Sequence, residues 1–144
     1  MADVQQSPRG AMAAEISNGL VSLHHEFYGK GPSKAKTYLV DDTVLCVLNE
    51  GFTTVERTLI NGGDSGAVHD IRRSFQSAMK EQFTAVVENA TGRSVTAYLS
   101  QIHTDPDVAV EIFLLEPTGE PLSGEHHLEY TAPQPDWADE DGAG

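Results

Sequence analysis

Apolar residues recur at helical spacing in two stretches of the chain. From Ala13 onward, Ile16, Leu20, Leu23 and Phe27 fall four, three and four apart, one face of a helix that Gly29 and the Gly31-Pro32 pair end. Gly19 lies inside this stretch and weakens it by up to about 1 kcal/mol relative to alanine, so the helix must lean on tertiary packing. The stronger stripe is Val68, Ile71, Phe75, Met79, Phe83, Val86 and Ala90, which predicts a long amphipathic helix stopped by Thr91-Gly92. Arg72, Arg73, Lys80 and Glu81 occupy its opposite face, and His24-His25 fall on the exposed side of the first helix.

Between and after these helices the period changes. Lys34 to Val40 predicts a strand, Asp41-Asp42 a turn, and Thr43 to Leu48 a second strand, apolar on both faces and therefore central in a sheet. Thr53 or Thr54 caps a short helix running to about Ile60, and with Thr53 as N-cap Glu56 stands at the capping-box position. Ser94 to His103 and Val108 to Leu115 form a second hairpin, with Pro106 in the second position of a turn begun by Asp105. In the last strand Val108, Val110, Ile112 and Leu114 share one face.

The order of elements is helix, hairpin, short helix, long helix, hairpin. It predicts an α+β fold, a two-layer sandwich with helices on one face of a four-stranded antiparallel sheet. The halves are alike at an offset of sixty residues, Leu23 with Phe83, Phe27 with Val87 and Tyr38-Leu39 with Tyr98-Leu99, the pattern of an αββ duplication.

The ends of the chain read differently. Residues 1–11 lack periodicity and read as a disordered lead, 12–117 as the domain, and 118–144 as an acidic disordered tail. From Pro117 on there are seven acidic residues, four prolines and no Lys or Arg, with the single tryptophan, Trp137, among the acids. The net charge of −13, from 22 acidic and 9 basic residues, opposes binding to nucleic acid and to anionic lipid surfaces. No apolar run approaches the roughly 18–20 residues that span a bilayer, so no membrane insertion is expected. One cysteine, Cys46, within an apolar run, reads as a buried hydrophobe and fits a cytoplasmic location.

Candidate chemistry is sparse. Gly29-Lys30-Gly31-Pro32-Ser33-Lys34 resembles a phosphate-binding loop in composition but follows a helix and precedes a strand, which presents the wrong end of the helix dipole. Lys30, Lys34 and Lys36 nevertheless concentrate three of the nine basic residues within seven positions. Lys34 and Lys36 share one face of their strand, as a small-anion or carboxylate site or as a lysine-guarded sheet edge. His103, Asp105 and Asp107 match no metal-binding spacing, and Asp-Pro-Asp is ordinary turn chemistry. No nucleophile–base pair stands out, so neither an enzyme nor a cofactor is expected.

Several of these segments together resemble a known family. The opening helix with Gly29-Lys30-Gly31-Pro32-Ser33-Lys34-Ala35-Lys36 is similar to the family's G-[KR]-G-P-x-[KR]-x-[KR] loop. Gly51-Phe52-Thr53-Thr54 through Leu59, then Arg72-Arg73-Ser74-Phe75, Thr91-Gly92-Arg93 and Asp105 to Leu115 continue the match. The family is MpsC, a component of a Na⁺-translocating, membrane-potential-generating system, and the resemblance covers roughly residues 13–116. It implies an accessory or regulatory domain of a membrane sodium or inorganic-carbon transport system. That domain would act through a protein partner, form a homo-oligomer, and lie in the cytoplasm peripheral to the inner membrane. The alternative is an anion- or nucleotide-sensing module in which Gly29, Lys30, Gly31, Pro32, Lys34, Lys36 and Arg93 form the binding site.

Overall fold

The computed structural model describes residues 7–119 and residue 122. Trp137 and most of the expected tail lie outside the described residues, as does the expected lead before Ser7. Helix α1 spans Pro8–Tyr28, strands β1 and β2 Lys34–Val40 and Thr43–Asn49, and helices α2 and α3 Thr54–Asn61 and Ser65–Thr91. Strands β3 and β4, Val95–His103 and Val108–Leu115, complete the order.

Helix α1 begins at Pro8, four residues before the expected start of the domain at residue 12. Ser7 is its N-cap, with its hydroxyl accepting from the Gly10 amide at 3.0 Å, and Pro8 occupies the first turn. A proline there supplies a helical φ and lacks only an N–H that would have had no partner. Thr53 caps α2 through the full capping box with Glu56, and Asp64 caps α3. Gly29 and Gly92 end α1 and α3 in the left-handed conformation, at φ of 77° and 68°.

All four strands pair antiparallel in the order β1-β2-β4-β3, so β2 is central and β1 is an edge. The helices cover one face of this sheet. Ile16 and Leu20 from α1, with Met79, Phe83 and Val87 from α3, pack on Val44, Cys46 and Leu48 of β2 and Phe113 and Leu115 of β4. A second cluster joins Phe52, Val68 and Ile102 beneath α2.

The arrangement has two αββ units meeting at the β2–β4 pair, the layout a duplication would leave. The sixty-residue offset does not survive, because Tyr38 is exposed on the outer face while Tyr98 points inward onto Phe113 at 4.9 Å. Equivalent strand positions in a repeat must share a face.

Other differences have one cause, namely polar residues at inward positions. His24, expected at the surface, is buried against Phe83, while Phe27 is half exposed. Arg72 is buried in α3, and Ile71 beside it is half exposed. In β4 the apolar set Val108, Val110, Ile112 and Leu114 faces away from the helices, and the inward set includes Glu111, which is only 1% exposed. The Asp105–Pro106 peptide bond in the β3–β4 turn is cis.

Candidate functional site

Most of the segments that carry the family resemblance, though distant in sequence, meet at one end of the sheet, and Thr91-Gly92-Arg93 lies at the other. Their focus is the short connection Glu50–Thr53. Asp107, in the β3–β4 turn, accepts from the Gly51 amide on Oδ1 at 3.3 Å and from the Phe52 amide on Oδ2 at 3.1 Å. Arg72 donates from Nη2 to the Gly51 carbonyl at 3.0 Å, and Lys30 donates from Nζ to the Phe52 carbonyl at 2.8 Å. Pro32 lies against Gly51 from the other side. Three loops are therefore tied to one another through the backbone groups of Gly51 and Phe52.

Arg72 is the hub. Its Nε and Nη2 bind Glu56 Oε2 and Oε1 at 2.5 and 2.6 Å, with both side chains buried. The guanidinium carbon stands 3.9 Å from the Tyr28 ring centre and 5.2 Å from that of Phe52. Burial alone would push the Glu56 carboxyl up, but the hydrogen bonds from Arg72 and Thr53 outweigh it and hold the group below its usual value. Burial likewise opposes the charged guanidinium, and Glu56 more than compensates. His24 sits beside this pair with Nδ1 donating to the Leu20 carbonyl at 2.7 Å. Burial lowers its pKa against the raising effect of that carbonyl, so the ring is neutral near pH 7.

The space among His24, Pro32, Phe52, Arg72 and Asp107 is about 10 Å³, no more than one water needs. This constellation is a clamp, with its polar groups spent on one another, and has no room for a substrate. Deeper under the sheet, Glu111 accepts from Tyr98 Oη on Oε2 at 2.5 Å, while its Oε1 has no protein partner. Burial pushes this carboxyl up to about 7, and the neighbouring Ser100 and Tyr98 hydroxyls offset only part of that rise.

The expected binding residues do not converge. Lys34 and Lys36 project together from the outer face of β1, where with Ser33, Tyr38 and Asn49 they line an open groove. Lys36 Nζ stands 5.1 Å above the Tyr38 ring centre. Lys30 is turned to the Phe52 carbonyl instead. Arg93 lies at the opposite end of the sheet, bound to Asp42 Oδ1 and to the Glu116 carbonyl, each at 2.6 Å. Gly29, Gly31 and Pro32 shape the loop that leads into β1. Among the described residues, no three His, Cys, Asp or Glu side chains gather to hold a metal. His103 is bonded to the Pro106 carbonyl, and Asp107 is spent on the clamp.

Reading along the chain missed Glu56, Arg72, His24 and Glu111. Arg72 did leave a trace: Val68, Arg72, Met79, Phe83 and Val87 follow each other at helical multiples, and Arg72 is the one charged member of that row.

Fold and site together define an α+β domain, a two-layer sandwich whose loops are locked by a buried ion pair. No helix among the described residues is long and apolar enough to cross a membrane. The family model for MpsC, the Na⁺-translocating membrane-potential-generating system, matches residues 8–117, and the chain belongs to that family. No curated protein sequence and no solved structure shows a significant match.

Proposed function

We propose that this chain is a non-enzymatic accessory or regulatory domain of a membrane sodium or inorganic-carbon transport system. It works through protein contacts, in the cytoplasm and peripheral to the inner membrane. The observation that carries the reading is membership of the MpsC family across the whole folded domain. The site supports it, because the polar groups at the convergence of the family motifs are consumed in fixing loop shape. A rigid set of loops suits recognition of a partner surface.

Pull-down of the tagged full-length chain from native membranes tests this. Recovery of a sodium-translocating membrane subunit is the expected result, with a loss of sodium-dependent membrane potential when the chain is deleted. Recovery of no membrane protein together with an unchanged potential overturns the reading.

A second reading is favoured by one observation, the pairing of Lys34 and Lys36 beside Ser33 and Asn49 in the outer groove. Here the domain senses a small anion or nucleotide. Titration calorimetry with bicarbonate, phosphate and ATP discriminates the two. Heat at millimolar ligand that vanishes in Lys34→Glu/Lys36→Glu favours sensing, and no heat with any of the three removes it.

A further inference from the structure

The inward face of the sheet carries a polar row that the clamp does not use. The pairing registers line up Thr37, Cys46, Glu111 and Ser100 across β1, β2, β4 and β3. Thr37 is satisfied by Ser17 of α1, at 2.7 Å. Glu111 is buried and held by a hydrogen bond from Tyr98 Oη to its Oε2. Its Oε1, the Ser100 hydroxyl and the Tyr28 hydroxyl are all buried without a protein partner. Buried polar atoms nearly always have partners, so three orphans around one carboxyl ask for a reason. Tyr28 joins this row to the clamp. Its ring lies 3.9 Å from the Arg72 guanidinium, and the charges of Arg72 and Glu111 both act on its hydroxyl. A cleft of about 50 Å³ between α3 and β3 reaches Arg72 and Ser100 and is large enough for water.

We propose that Glu111 is a proton-binding site whose occupancy sets the loop clamp, with Tyr28 as the positioning residue between them. With its proton in place the carboxyl is neutral, and Arg72 keeps its bonds to Glu56 and to the Gly51 carbonyl. On leaving, the proton passes to water in the α3–β3 cleft by way of the Ser100 hydroxyl. The charge left on Glu111 is then buried with the Tyr98 bond alone, which is costly unless further donors reach it. The Ser100 and Tyr28 hydroxyls are donors with no protein bond to break. A hydrogen bond from Tyr28 to Oε1 draws its ring along the guanidinium, and Arg72 gives up its hold on the Gly51 carbonyl. Loss of the proton thereby releases the Glu50–Thr53 connection.

Burial supports this assignment, because it brings the carboxyl up to about 7, where a proton is readily gained or lost. The titratable groups packed around Glu111 do not answer in that range. Tyr98 of β3, Tyr28 of α1 and Cys46 of β2 are all pushed up by burial, Cys46 to about 11. Arg72 of α3 stays charged, and Glu56 of α2 is held below its usual value. His24, stacked on Tyr28, is lowered from 6.5 by burial. Above that value Glu111 is the member of the cluster that changes charge. This switch stands independently of the transport role.

An NMR titration of the full-length chain from about pH 6.5 to about pH 8.5 tests the switch. It reads the Glu111 side-chain carboxyl carbon beside the Gly51 and Phe52 amides and the Arg72 Nε–H. One midpoint, at about 7, is expected for the carboxyl carbon and the clamp resonances alike. Glu111→Gln cannot ionise and should leave the clamp resonances flat. Tyr28→Phe removes only a hydroxyl without a partner, so circular dichroism and the thermal midpoint should be unchanged. In that variant Glu111 should still titrate while the Gly51 and Phe52 excursions are lost. Clamp resonances that stay fixed while Glu111 titrates in the parent chain overturn the proposal. So do clamp shifts that persist in Glu111→Gln or pass undiminished through Tyr28→Phe, and so does a Glu111 that keeps one charge state throughout.

Discussion

The guanidinium of Arg72 grips the carboxylate of Glu56 from sixteen residues away, with two donors at 2.5 and 2.6 Å and almost no exposure of either side chain. Taking both charges out of water is costly, and the pair is sustained by its geometry and by the further bonds to Gly51 and Thr53. Removing one partner leaves the other charged, buried and alone.

Arg72→Met and Glu56→Gln should therefore each lower stability by about 3–5 kcal/mol. The double variant should lose less than the sum, because neither orphaned charge remains. Urea denaturation of the four proteins checks this. Additive losses would mean that the pair is not coupled.

Much of the fold can be read from the chain, because apolar period and turn residues act locally. The β1 bounds, the capping box at Thr53 and the stop at Gly92 all rest on neighbours within four residues. The clamp does not. Arg72 and Asp107 find Gly51 across 21 and 56 residues, and no local pattern encodes which polar residues will turn inward to meet. Strand β4 misleads for a related reason. Both of its faces are largely apolar, so alternation cannot say which one the helices cover, and the inward face is the one that carries Glu111.

Phe83 and Phe75 separate the centre of the long helix's stripe from its margin. Phe83 is fully buried among Ile16, Leu20 and Val44, whereas Phe75 only flanks that cluster. Phe83→Ala should cost about 3–5 kcal/mol, and Phe75→Ala clearly less. Equal losses in thermal or urea unfolding would contradict this division.

Glu111 should make stability fall as pH rises. Its folded pKa is about 7, against 4.5 for the free side chain. Between those values the folded protein keeps a proton that the unfolded chain has released, so raising the pH draws the chain toward unfolding. The loss, roughly 3 kcal/mol, is complete above the folded pKa. His24 acts oppositely below 6.5, since its depressed pKa makes the unfolded state the better proton binder there. Glu111→Gln keeps an acceptor for Tyr98 and cannot ionise. Its stability advantage over the parent should grow from pH 5 to pH 8, with both values taken as rough brackets of the titration. A constant difference across that range would show that Glu111 does not titrate between them.

Asp107→Ala should unlock the loops without unfolding the sheet. The Gly51 and Phe52 amides lose their acceptors, a loss of about 1–3 kcal/mol for each amide left without another partner. Hydrogen exchange at those two amides should accelerate well beyond that of the β2–β4 ladder. Asp107→Asn, which retains one carbonyl oxygen, should protect one of them. Uniform acceleration throughout the sheet would show that the turn holds up the whole fold and not only the clamp.

Gly19 offers the most discriminating test of how the helices meet. In an isolated helix Gly19→Ala is favourable by up to about 1 kcal/mol, so a surface glycine at this position would be improved by the change. Here α1 crosses α3 so closely that a Cβ on Gly19 would fall 2.6 Å from Val86 Cγ1 and 3.2 Å from Cγ2. A β-branched valine in a helix has one strongly preferred rotamer and little freedom to swing aside. Relief must come from moving one helix against the other, and overpacking of this kind costs about 1–3 kcal/mol. The packing loss should exceed the propensity gain, so Gly19→Ala should lower the thermal midpoint. Val86→Ala alone should also destabilise, by removing partly buried methyl groups. Adding Gly19→Ala to Val86→Ala should then be neutral or stabilising, because the obstructing methyls are gone and the propensity gain remains. That reversal of sign is what distinguishes a close helix crossing from a weak spot in α1. Stabilisation by Gly19→Ala in the parent background would mean that the two helices pack less closely than their distances indicate.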